Sequence, residues 1–249
     1  MKPVSLSAAW EDSLAFLKRE GGLVFPLVLL FIAIPLALIL HVLPDQVREM
    51  TPGAPPPNVT LSGGATALIA ASALVILGGA LSCYALALTG GISLREALTL
   101  GFRRVPHAFA AAFLIGVALA VPLMILNMTA PVAGRIYMLV ASLFFSVRFL
   151  FLNAAIVEQQ DGPVAAIRRT WTMTGGKNAW RILMMIVVLT IPIMLAQIVA
   201  GIVFGLLGLA FGGPEVGAEM RDLATAVTLA LGQMFMIVLT SRLYRQIVA

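Results

Sequence analysis

Apolar residues in this chain fall in long blocks, and the polar stretches between the blocks carry patterns of their own. Six blocks are long enough to cross a hydrocarbon core of about 30 Å at about 1.5 Å per helical residue: 23–43, 66–89, 108–128, 135–157, 179–211 and 224–243. The fifth would extend about 50 Å if straight, so it must tilt, kink at Pro192 or project beyond the bilayer.

Three polar stretches predict helices lying along a membrane surface. In 3–20, Leu6, Trp10, Ser13, Leu14 and Leu17 share one helical face while Glu11, Asp12, Lys18 and Arg19 lie elsewhere, and Gly21-Gly22 is the expected break. In 91–106, Ser93 and Glu96 have capping-box spacing, each able to satisfy a free backbone N–H at a helix start. That helix is expected to run towards Arg104 and stop before Pro106. In 157–181, Pro163 suits a first helical position, Val164, Ile167 and Trp171 recur on one face beside Arg168, Arg169 and Thr172, and Gly175-Gly176 stops the helix. Lys177, Trp180 and Arg181 then lead into the next apolar block. The remaining connections are a proline- and glycine-rich linker over 44–65, a turn around 131–134, and a Gly212-Gly213-Pro214 stop followed by a short acidic segment.

Composition fixes the solvent. The 249 residues are 61% apolar and 11% charged, with mean hydropathy +1.03, against about 45–50% and 25% in soluble domains. The expectation is an all-α, polytopic membrane protein forming a single domain over 1–249, with six transmembrane helices and three cytoplasmic interfacial amphipathic helices. The net charge of +5 comes from 16 Lys and Arg against 11 Asp and Glu. With six spans, Lys2, Lys18, Arg19, Arg95, Arg103, Arg104, Arg168, Arg169, Lys177, Arg181, Arg242 and Arg245 fall on one side, and Arg48, Arg135 and Arg221 on the other. This asymmetry predicts both termini in the cytoplasm. The cations form no dense soluble patch, which argues against nucleic acid as a partner. Charges at 11–20 precede the first apolar block, so that block reads as an uncleaved anchor. The lone Cys83 rules out an internal disulfide and reads as packing.

The layout repeats. Each of three units, 3–90, 91–161 and 162–249, has an amphipathic helix, a span containing a proline, and a return span. The prolines follow an alanine of the preceding amphipathic helix at near-constant distance: Ala9 to Pro35, Ala97 to Pro122, Ala166 to Pro192. The return spans end alike, with Ser146-Val147-Arg148-Phe149 against Thr240-Ser241-Arg242-Leu243 and, more weakly, Ser82-Cys83-Tyr84-Ala85. A repeat of this kind suits pseudo-threefold packing of helix hairpins beneath a collar of surface helices. The prolines are open to two readings, packing kinks or the lining of a cavity.

The run Glu158-x-x-Asp161-Gly162-Pro163-x-Ala165-Ala166-Ile167-Arg168-Arg169-Thr170-Trp171, continued by Thr174-Gly175-Gly176-x-x-x-Trp180-Arg181-Ile182, resembles the membrane domain of glycerophosphoryl diester phosphodiesterases. More loosely, it resembles the YciC-like bacterial inner-membrane proteins. The resemblance implies a multi-pass protein of the bacterial cytoplasmic membrane. In that family the chemistry resides in a soluble (β/α) barrel joined to the membrane domain. The barrel and its metal-binding carboxylates have no counterpart in this sequence, so no phosphodiesterase activity is expected.

The residues themselves offer no reaction. His41 and His107 are solitary, the acids lie in loops or interfacial helices, and no phosphate-cradling loop is present. No catalytic residue, cofactor or metal is therefore expected. Gly201-x-x-x-Gly205 and Gly208-x-x-x-Gly212 read as helix-packing motifs. Arg148, within the fourth span, either snorkels or pairs structurally, or else binds an anionic lipid headgroup. The cytoplasmic set Arg103, Arg104, Arg168, Arg169, Lys177 and Arg181, flanked by Trp171 and Trp180, suits anionic headgroups or a membrane or soluble partner protein. Positive-inside charge with an aromatic belt is the plainer reading of the same residues. Two functions follow: a non-catalytic membrane scaffold or anchor, and a transporter or channel for a lipid-like or small amphiphilic solute.

Overall fold

A computed structural model describes residues 5–44, 47, 60–158, 162–175 and 177–248. Most of the proline-rich linker, 45–46 and 48–59, lies outside the described residues. The described residues are helical throughout, without strands: α1 (Leu6–Val28), a π-helical turn (Leu29–Ala33), α2 (Ile34–Val42), α3 (Gly63–Leu88), α4 (Leu94–Thr129), α5 (Pro131–Arg148), α6 (Leu152–Glu158), α7 (Pro163–Met173) and α8 (Lys177–Val248). Five helical stretches among them are long and apolar enough to cross a membrane: Leu6–Val42, Gly63–Leu88, Leu94–Thr129, Val132–Glu158 and Ala179–Val248.

The surface segments are joined to the spans more tightly than their sequence signals predict. No break occurs at Gly21-Gly22, because α1 runs through both glycines into the π turn and α2. Glycine within a helix costs about 1 kcal/mol. Leaving peptide groups unpaired where water is scarce costs more, so the helix continues. The π turn, in which Ile34 N–H donates to the Leu29 carbonyl, lies just before Pro35 and widens the backbone where a proline ring would otherwise crowd the preceding turn. Pro106 likewise does not end its helix: α4 runs unbroken from its Ser93 cap through Pro106 and Pro122. The predicted turn at 131–134 shrinks to the single residue Ala130, with Pro131 opening α5. The fourth span breaks after Arg148 and resumes as α6. The second begins earlier than its apolar block, at Gly63 behind the Ser62 cap.

Nor is the acidic segment after Pro214 a loop. Gly213 alone leaves helical geometry, with φ 81° and ψ −171°, and helix resumes at once on its far side. The chain reverses there, so the two arms of α8 lie antiparallel: a Cβ at Gly208 would come within 2.7 Å of the Val216 carbonyl, and one at Gly232 within 2.8 Å of Ile193. The glycine motifs at 201–212 thus serve close packing, as their spacing predicts.

The core lies at one end of the molecule. The ends of the three return segments, 80–88 of α3, 151–157 around α6 and 237–244 of α8, are almost wholly buried and touch one another. The Phe151 and Tyr244 rings lie 6.1 Å apart. Around this centre sit α1, the first turns of α4, and α7, with α1 against α8, α4 against α3, and α7 against α6. The alanines singled out by the repeat, Ala9, Ala97 and Ala166, are 0%, 0% and 1% exposed. Four residues after each stands a buried small residue, Ser13, Gly101 or Thr170. The prolines are not equivalent: Pro35 is buried, Pro122 half-buried and Pro192 exposed.

Candidate functional site

Arg148 ends α5, where a cation faces the negative end of the helix dipole. It does not extend freely. Its guanidinium carbon lies 4.7 Å from the Trp171 ring centre and 5.3 Å from that of Phe144, and Nη1 donates to the Trp171 carbonyl at 3.2 Å. The buried Thr174 hydroxyl lies 3.2 Å from the Arg148 carbonyl and 2.9 Å from that of Thr170, tying the end of α7 to the end of α5. Phe144, Phe145, Phe149 and Trp171 form a continuous ring cluster with centroids 5.5–5.9 Å apart. Guanidinium stacking of this kind contributes about 0.5–2 kcal/mol, towards the upper figure when water is excluded.

Beside this joint a lateral cleft of about 280 Å³ separates α5 from the start of α8. Val140, Leu143, Phe144 and Val147 line one wall, Ala179, Trp180 and Leu183 the other, with Arg148 the only charged group among the described residues that line it. Trp180, 62% exposed, and Trp171, 41% exposed, flank it.

A similar joint closes the other end of the chain. The Arg242 guanidinium stacks over Phe16 of α1 at 4.7 Å, and Arg245 donates to the Leu88 carbonyl. Gln246 and the Ser5 backbone exchange hydrogen bonds at 3.0 and 3.3 Å, while Trp10 meets Phe235 edge-on at 4.8 Å. The two arginines matched by sequence, Arg148 and Arg242, therefore each stack on an aromatic ring of an amphipathic segment. The third matched position holds Tyr84, fully within the core.

Of the candidate residues, Arg148, Trp171 and Trp180 are brought together. Arg103 is exposed and Arg104 half-buried on α4, and neither lines the cleft. The Arg104 Nε is buried without a hydrogen-bond partner among the described residues. Arg168 and Arg181 are exposed and Arg169 is half-buried, each close in sequence to one of the two tryptophans. Lys177 opens α8, but its side chain lies outside the described residues. At the start of α4 the predicted capping box is present: Ser93 N–H and Oγ donate to Glu96 at 2.8 and 2.7 Å, and Glu96 N–H donates back to Ser93 Oγ at 3.3 Å. These bonds hold the Glu96 carboxyl below the usual glutamate range.

Phe144, Phe149, Phe16 and Thr174 were not candidates. The only prior signal for them was the matched pair of arginines, each of which needs a nearby ring or carbonyl once buried. Among the described residues, no three His, Cys, Asp or Glu side chains converge into a metal-binding group. Comparison with protein-family models, curated proteins and solved structures finds no match.

Proposed function

We propose that this chain is a non-catalytic, multi-pass protein of the bacterial cytoplasmic membrane, a scaffold or anchor whose cytoplasmic collar binds anionic lipid headgroups or a partner protein. In this reading both arms of α8 cross the membrane, giving six crossings with both chain ends in the cytoplasm, and the three hairpins are copies of one unit. The family it would belong to is that of the phosphodiesterase membrane domains it resembles at 158–182.

The observation that carries the reading is the concentration of fixed structure at one end. There the buried core, the capped α4 start, α7 and the Arg148–Trp171 joint converge, while the far parts of the hairpins present apolar side chains outward. Only 6% of the most apolar window of α4 is buried, as suits a helix whose solvent is hydrocarbon. A transporter has less support, because the three span prolines differ in burial instead of sharing one environment.

Reversing charge at the collar with Arg168→Glu and Arg169→Glu is expected to lower cofractionation of anionic lipid by about fivefold per residue at low salt, following about 1 kcal/mol for each basic group near an anionic surface. Unchanged cofractionation of both lipid and protein partners contradicts the reading.

A further inference from the structure

Building on that reading, we infer that the cleft between α5 and the start of α8 is a specific phospholipid site: one acyl chain lies against its apolar walls, and the anionic phosphate is held by Arg148. Three features converge. The walls are apolar at Val140, Leu143, Phe144 and Val147 and again at Ala179 and Leu183, and among the described residues lining the cleft Arg148 alone carries a charge. The cation ends the 18-residue helix α5 and stands beside two exposed tryptophans, the residue type that settles at headgroup depth.

The arginine is also pre-positioned. Held against Phe144 and Trp171 and bonded to the Trp171 carbonyl, it loses little side-chain freedom on binding. A guanidinium has five N–H donors in a planar fork that matches phosphate oxygens. The hydrogen bond to Trp171 uses one of them. Charge complementarity extends outward through Arg168, three residues before Trp171 and so its neighbour on α7. A zwitterionic lipid offers the same chain and phosphate but adds a cation that Arg148 and Arg168 repel. The site therefore favours an anionic phospholipid such as phosphatidylglycerol.

The tryptophans are reporters already in place. In the Trp10→Phe variant the emission comes from Trp171 and Trp180 alone. The full chain is reconstituted in phosphatidylcholine vesicles containing an equal small fraction of acyl-brominated phosphatidylglycerol or acyl-brominated phosphatidylcholine. The site predicts that the brominated anionic lipid is enriched at these tryptophans by about fivefold over the zwitterionic one, the scale of one basic group's attraction. Ala179→Phe, which fills the cleft and leaves the Arg148 joint intact, should abolish the excess. Arg148→Lys, which keeps the charge and loses the fork, should reduce it.

Equal quenching by the two lipids overturns the site. An excess that survives Ala179→Phe also overturns it, and assigns the preference to the collar's general charge, leaving the broader reading intact. The broader reading fails separately, if Arg168→Glu and Arg169→Glu leave both total anionic-lipid binding and cofractionation of protein partners unchanged.

Discussion

Gly101 and Arg148 show what single residues contribute to this molecule. A Cβ at Gly101 would lie 2.5 Å from the Ser82 backbone nitrogen and 2.8 Å from its Cα, and backbone cannot swing aside. Gly101→Val should therefore cost about 3 kcal/mol or more and lower the thermal midpoint in detergent. Gly116→Ala, with open space around it, should leave the midpoint unchanged or raise it. Arg148 was legible as a special position, because a cation inside an apolar block needs a reason and Arg242 repeats its context. Its partners were not legible. The ring of Trp171 stands twenty-three positions away, and its approach depends on how α7 docks, which no local pattern encodes. Arg103 and Arg104 show the converse, for their charge marked them as part of a cluster whose centre they do not reach.

Local chemistry set the starts of the elements well and their ends poorly. The capping box at Ser93 and the proline start at Pro163 appear where spacing places them. Ser93→Ala should cost about 1 kcal/mol, measurable by denaturation in detergent micelles. Glu96 adds a pH signature. Its folded-state pKa is depressed, so its contribution is complete above the unfolded value of about 4.3 and fades as pH falls below that towards the folded value. The stability difference between the parent and Glu96→Gln should accordingly shrink below about pH 4; a difference that widens in acid contradicts the assignment. Gly21-Gly22 and Pro106 misled as stop signals, since they lie inside continuous helices, whereas α7 does end before Gly175. A glycine matters at Gly213, where the backbone adopts φ 81° and ψ −171°, a conformation essentially closed to other residues. Gly213→Ala should cost about 1–3 kcal/mol and loosen the α8 hairpin, seen as faster proteolysis between 205 and 220 than in the parent.

At the scale of the whole chain, hydropathy announced membrane-length helices but could not count them, because the fifth stretch is one continuous helix except at Gly213. Nor could it say that the buried core lies at one end, since apolar residues facing lipid and apolar residues facing protein look alike in sequence. The alanines compared across the proposed repeat, Ala9, Ala97 and Ala166, are all buried at that end. The Ser5 backbone meets Gln246 and Phe16 meets Arg242, so the first and last described segments lie together. The proposed six crossings, with both chain ends on one face, fit that arrangement. Insertion of a topology reporter at Ser5, Ala130, Gly213 and Val248 therefore tests the account most directly. The account predicts Ser5 and Val248 in the cytoplasm and Ala130 and Gly213 outside; Gly213 on the cytoplasmic side, or Ser5 and Val248 on opposite faces, contradicts it.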